Sequence, residues 1–269
     1  PRNWPVSNLD AWGEKSMITG VVKTLIKAAL FPLSLRYRAA LLRALIDVNA
    51  ESLPPKESLR FLFSLEDELY QQVKKAGGRY YPHGHLKSYL IKYEQFFVDH
   101  VDGCQIVMDL GCGQGTIANR LGFVPSLQKV IGVDLNEKSL EIARQNGLPK
   151  VTYLLADVTK IKLEDPVDCI VLSNVLEHIE HRVALLQTLQ NDYPLKKIII
   201  RVPLFERDWR IPLRREVGGE WRLDTTHFTE YTLESFAAEM EEAGLEVIHQ
   251  EIRWGEIWSV LRPRQPRGA

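Results

Sequence analysis

The sequence is poor in cysteine, almost without net charge, and free of long apolar runs. Its three cysteines, Cys104, Cys112 and Cys169, are an odd number with no zinc-knuckle spacing, which argues against a disulfide scaffold or a thiolate zinc site. A reducing, cytoplasmic setting is the expectation. Lys and Arg total 34 against 35 acids, a formal charge of -1, so there is no global basic signature for nucleic acid. No stretch is apolar for the length of a membrane span, and nothing reads as a cleavable signal, although the chain opens on Pro1. With 45% hydrophobic and 26% charged residues in 269, disorder is excluded, and there is room for one large domain and an accessory segment.

Charge of one sign is concentrated at the start. Residues 1–50 hold seven Lys or Arg against three acids, so that end is +4. From 17 to 30 the apolar residues Met17, Ile18, Val21, Val22, Leu25 and Ile26 recur at helical spacing with Lys23 and Lys27 opposite, which predicts an amphipathic helix. Pro32 ends it, 33–48 repeats the pattern, and Pro54-Pro55 opens a third helix closed by Gly77-Gly78. Residues 1–80 therefore read as a helical cap or accessory segment. Its stripe either faces a core or makes a peripheral contact, through 17–48, with protein or with the inner face of a membrane. Residues 80–84 read as a loop and 86–101 as a helix.

What the rest is organised around is an apolar run that turns abruptly into glycines, Val107-Met108-Asp109-Leu110-Gly111-Cys112-Gly113-Gln114-Gly115. It reads as a buried strand, a tight turn and a helix opening near Thr116 with its amides available to a ligand. The dinucleotide fingerprint fails because Thr116 stands at its third glycine. Asp109 at the strand end would repel a pyrophosphate, which favours a cofactor bearing positive charge. Further strands are expected at 129–133, 151–155, 167–172, 197–202, 245–253 and 256–261, and helices at 137–145, 182–192 and 232–243.

The segment Asp109-Leu110-Gly111-Cys112-Gly113-Gln114-Gly115 resembles the first motif of class I S-adenosylmethionine-dependent methyltransferases, and the likeness extends motif by motif from about residue 93 to 260. The resemblance implies an α/β fold, a seven-stranded Rossmann-like sheet with helices on both faces over residues 81–269, with an acceptor-binding insertion at 203–226. It implies S-adenosyl-L-methionine as cofactor. Asp109, Gly111, Cys112, Gly113 and Gly115 would form the cofactor loop. Asp134, 25 residues after Asp109, would accept from the ribose hydroxyls beside Leu135, and Asp157 with Val158 would meet adenine. Ser173 and Asn174 would lie near the methyl group, Lys87 and Tyr93 near the methionine end of the cofactor.

For the chemistry, the sulfonium already supplies the electrophile, so the protein must align an acceptor and, for a hydroxyl, remove its proton. His227, His178 and Glu177 are the candidate catalytic residues, with His227 placed best because it follows the aromatic, arginine-rich insertion. Asn174-x-x-Glu177-His178 with His227 also resembles the metal site of small-RNA 3′-terminal 2′-O-methyltransferases and a related segment of quinone O-methyltransferases. Asn174 replaces a first glutamate there, and a lost carboxylate weakens a hard-metal site, so no metal is expected. In the insertion five acids balance five arginines, unlike a phosphate-tracking groove. The expected reaction is methyl transfer to a hydroxyl oxygen of a small-molecule or glycan-like acceptor. The alternatives are a metal-dependent RNA ribose methyltransferase and a catalytically idle cofactor-binding subunit.

Overall fold

The computed structural model of the protein describes residues 15–81 and 86–264, with side chains described from residue 20 and again from 87. The expected loop at 82–85, residues 1–14 of the basic end and the tail at 265–269 lie outside the described residues. Two compact units divide between Glu66 and Asp67. The first contains α1 (Lys15–Leu30), α2 (Leu35–Glu51) and the first part of α3 (Pro55–Tyr80). Along α1 the stripe residues Val21, Val22, Leu25 and Ile26 are exposed, and α2 buries no residue. No described helix is long and apolar enough to cross a membrane. Helix α3 does not stop at Gly77-Gly78. Both glycines are helical, and the cost of about 1 kcal/mol each is borne by a helix of 26 residues.

The second unit continues with α4 (Leu86–Ile91) and α5 (Glu94–His100), where the sequence suggested one helix. Lys92 breaks it by adopting φ 47°, in the left-handed region. Then come β1 (Ile106–Leu110), α6 (Thr116–Leu121), β2 (Lys129–Asp134), α7 (Glu137–Gln145) and β3 (Val151–Leu155). The second half adds β4 (Cys169–Ser173), α8 (Arg182–Asp192), β5 (Lys197–Pro203), α9 (Arg210–Glu216), α10 (Leu233–Glu242), β6 (Leu245–Arg253) and β7 (Glu256–Pro263). Their order in one seven-stranded sheet is β3-β2-β1-β4-β5-β7-β6. The first five strands run parallel, and β7 enters antiparallel between β5 and β6.

Why the sheet is central follows from its sequence. Along β4, Ile170 and Leu172 join the core on one face while Cys169 and Val171 join the core on the other, so both faces are covered by helices. At the amino ends of the strands Asp168 accepts from the backbone N–H of Gln105 and Ile106 and pairs with Lys196, which fixes β1 against β4 and β5. The order reverses between β1 and β4. In a doubly wound sheet a crevice opens at that point, outside the carboxyl ends, and the glycine turn stands there.

Candidate active site

The loop after β1 is held by its own backbone. Gly111 and Cys112 N–H both donate to Val133 O, at 2.8 and 3.0 Å, and Gly115 at φ 77° turns the chain into α6. A Cβ at Gly115 would overlap the Tyr153 hydroxyl and lie 2.9 Å from Ala143, so the close approach of loop to β3 requires glycine. Cys112 is buried in this loop, and desolvation followed by Asp109 and Asp134 pushes its thiol up, out of the reactive range. Asp134 ends β2 and accepts from Gly113 N and Asn136 N, both at 2.8 Å. Asn136, not Asp134, caps α7, accepting from Ser139 N. Leu135 beside it exposes its side chain. Asp157, after β3, accepts from the Thr159 hydroxyl and N–H, which together with Lys160 hold its carboxyl below the usual range, and Val158 is buried in the core.

At the switch point itself, on β1 and across it on β4 and β5, the side chains are less satisfied. Asp109 is 1% exposed, and burial raises its carboxyl to about 7, with an opposing backbone hydrogen bond from Ala118 and a further push from Asp134. Eight buried side-chain polar atoms lack a hydrogen-bond partner among the described residues. Seven belong to Asp109, Ser173, Asn174, Glu177 and Arg201, on β1, β4, β5 or the segment that follows β4. Unpaired buried polar groups are rare in folded proteins, and these lie on the strands and the strand-end segment that flank the switch point, where a doubly wound sheet takes its ligand. Asn174 stands there in the left-handed region at φ 55°.

Beyond Asn174 a 3₁₀ turn, Leu176–His178, brings Glu177 and His178 against His227. One ligand atom from each of the three lies within 4.8 Å of the others, and the two imidazoles meet edge to face at 4.5 Å between centroids. Glu177 is fully buried, and desolvation raises its carboxyl to about 7, only partly opposed by His227 and Arg201. His178 Nδ1 faces the Thr226 hydroxyl at 2.9 Å, and burial and then His227 lower its basicity. His227 is 6% exposed, with Nδ1 3.1 Å from Glu230 Oε1. Glu230 also pairs with Arg207 and accepts from Leu223 N–H, while Phe228 N–H reaches back to Glu177 O at 2.9 Å.

The insertion is therefore structured. It contains a 3₁₀ turn at Phe205–Arg207 and helix α9, with Pro212 in the first turn where its missing N–H costs nothing. Arg210 pairs with Asp208, Arg222 with Glu220 and Arg214 with Asp67, and Arg215 lies over Trp221 at 5.3 Å. Its cations are engaged within the second unit, while Trp209 and Phe228 expose aromatic surface.

Of the residues expected near the methionine end, Tyr93 is buried under the Arg201 guanidinium, 3.8 Å from the ring, whereas Lys87 is half-exposed and 3.5 Å from Glu256. Arg201, Glu256, Glu230 and Thr226 escaped the sequence reading. Arg201 had a signal, a charge inside the otherwise apolar Ile198-Ile199-Ile200-Arg201-Val202, and so had Glu230, a carboxylate three residues after a candidate base.

A parallel five-stranded core closed by an antiparallel hairpin, with a glycine loop and strand-end acids at its switch point, defines a class I, Rossmann-like S-adenosylmethionine-dependent methyltransferase. A family model for a methyltransferase domain matches residues 36–250, and the chain belongs to that family. It is 31% identical to a trans-aconitate 2-methyltransferase of Azoarcus sp. over 122 residues, 45% of this chain and 48% of that one. With a ubiquinone biosynthesis O-methyltransferase of Bordetella pertussis it shares 37% identity over 78 residues, 27% of this chain and 32% of that one. The chain thus spans between about a third and a half of the length of these curated relatives. Among solved structures, a small RNA methyltransferase superposes with a TM-score of 0.53 at 20% identity, over 65% of this chain and 25% of that one. That likeness is one of fold.

Proposed function

We propose that the protein transfers the methyl group of S-adenosylmethionine to a hydroxyl oxygen of a small molecule. The observation that supports this most directly is the buried Glu177, His178 and His227 cluster beside the carboxyl end of β4. A hydroxyl needs a proton acceptor at that place, and an aliphatic or aromatic carbon surface alone would not supply one. Both named relatives carry methyltransferase activities in their names, and the Bordetella protein an O-methyltransferase one, which agrees in class.

In this reading Asp134 holds the ribose, Asp157 the adenine, and the glycine loop passes along the amino-acid portion of the cofactor. Glu230 keeps a proton on His227 Nδ1, so the Nε2 lone pair is presented to the acceptor hydroxyl. His178, made less basic by burial, stays neutral beside it and does not repel the imidazolium that forms. Trp209 and Phe228 offer aromatic faces to the acceptor and exclude water.

The same three residues also fit a divalent cation, since both oxygens of the buried Glu177 carboxylate are unpartnered and two imidazoles converge on it. Such an ion, when bound, would lower the pKa of a hydroxyl coordinated to it. Glu177, His178 and His227 would hold it, and Glu230 would orient His227 from behind.

Transfer of labelled methyl to a panel of phenols, hydroxy acids and sugars tests the reading. His227→Ala is expected to lower kcat about 100-fold while leaving S-adenosylhomocysteine affinity unchanged. An active His227→Ala enzyme would sink it. Activity lost to chelator and restored by Mg²⁺ or Mn²⁺, with Glu177→Gln equally damaging, selects the metal-assisted version over direct base catalysis.

A further inference from the structure

Arg201 interrupts an apolar strand and is 4% exposed, yet two of its guanidinium nitrogens, Nε and Nη1, have no hydrogen-bond partner among the described residues. The paired carboxylate, Glu256 Oε2, stands 3.8 Å from Nε, too far for a hydrogen bond. Glu256 is itself shared, 3.5 Å from Lys87 Nζ and accepting from Trp258 Nε1 at 3.1 Å. One carboxylate is thus divided between two cations and satisfies neither Nε nor Nη1 of Arg201. Buried guanidinium groups are costly unless closely paired and hydrogen-bonded. Stacking on Tyr93 at 3.8 Å fixes the plane of this one but supplies no acceptor in line with its N–H bonds.

Its position is in the crevice. Arg201 is the register partner of Ser173, its carbonyl accepts from Asn174 N at 2.7 Å, and its charge is felt at Asp109, Glu177 and Tyr93. It therefore lies between the glycine loop and the His227 cluster.

We propose that Arg201 is a carboxylate-recognition residue at the floor of the transfer site, its free N–H groups receiving the carboxylate of a bound small molecule. That carboxylate comes from the amino-acid end of the cofactor or from an acceptor bearing an acid group near the accepting hydroxyl. The proposal rests on reading the crevice as the transfer site.

Calorimetry on the full chain separates the two sources. S-adenosylhomocysteine carries the amino-acid end, and 5′-methylthioadenosine has the same nucleoside and sulfur without it. If the cofactor is the source, Arg201→Met weakens S-adenosylhomocysteine about 10- to 100-fold and leaves methylthioadenosine unchanged, with part of the loss restored in Arg201→Lys. If the acceptor is the source, S-adenosylhomocysteine binding is unchanged, and citrate or salicylate bound by the wild-type S-adenosylhomocysteine complex is lost by a similar factor in the variant. Equal weakening of both nucleosides would show a merely structural role and overturn the proposal. So would unchanged S-adenosylhomocysteine affinity with neither acid bound by the wild-type complex. Wild type that fails to bind S-adenosylhomocysteine at all refutes the cofactor reading beneath it, a separate failure. Should Arg201→Met not fold, Arg201→Lys and Arg201→Gln carry the same comparison.

Discussion

The two sides of the switch point treat their polar groups differently. On the β1–β3 side, Asp134 and Asp157 accept hydrogen bonds from neighbouring backbone and hydroxyl donors, two apiece. On the β4–β5 side, Ser173, Asn174, Glu177 and Arg201 are buried with donors or acceptors unused. The first arrangement holds carboxylates in place before anything binds. The second leaves groups whose hydrogen bonding can be completed only by what enters, so a ligand gains most there. In the proposed reading the nucleoside site would be prebuilt and the acceptor site completed on binding, so that one scaffold could keep a cofactor and differ in acceptor.

Substitutions on either side should separate these behaviours. The largest effect is expected from Glu230→Gln, which removes the charge that orients His227 and should lower kcat about 10- to 100-fold at unchanged S-adenosylhomocysteine affinity. A parallel fall in cofactor affinity would show that the two sides are not independent. Next, Asp134→Ala should weaken S-adenosylhomocysteine by about 2 kcal/mol, roughly 30-fold, since in the proposed site its carboxylate accepts from two ribose hydroxyls. Calorimetry with an intact thermal transition checks this, and full affinity would mean that the ribose lies elsewhere.

The smallest effect concerns pH and sharpens the comparison on Asp109, the one buried acid of the glycine loop. Its folded carboxyl is raised from 3.8 to about 7, so between those values the folded state binds the proton more strongly than the unfolded state. Its contribution to stability is therefore fullest below about pH 4, falls as pH rises to about 7 and is flat above. Asp109→Asn removes that loss. Its thermal midpoint should exceed that of wild type by a few degrees at pH 8 and match it at pH 4. Glu177 slopes the same way in both proteins and cancels in the difference. A gap independent of pH would exclude ionisation of Asp109 as its cause.

Most of the sheet was legible because its strands are short apolar runs ending in an acid or a polar residue, as at Asp134 and Ser173. Thr232 and Gly244 bracketed α10 through side-chain capping and a left-handed stop. Local signals misled where tertiary or cooperative effects outweighed them. Gly77-Gly78 reads as a stop, yet helix propagation carries α3 through both, and nothing near Lys92 announces a break. Helix α9 was missed because Pro212 and scattered charges hide a first-turn proline and a set of ion pairs. Glu177, His178 and His227 were joined only through the resemblance to a metal site, not through spacing. Their meeting depends on a turn 50 residues from His227 and on the backbone bond from Phe228 to Glu177, and no spacing rule contains such a contact. Glu230 and Arg201 were passed over because charge in a segment is read as solvated until burial is known.

Glu230 has a consequence for how the insertion can change. Its one carboxylate grips Arg207 and the Leu223 N–H at the root of the insertion and steadies His227 beneath it, while Trp209 and Phe228 stand outward at the rim. Of the two outward rings, Trp209 is remote in sequence from His227, whereas Phe228 is its chain neighbour. If the insertion receives the acceptor as proposed, a change at Trp209 would alter what it admits while His227 keeps its bearing. A change at Glu230 would instead loosen Arg207, Leu223 and His227 at once.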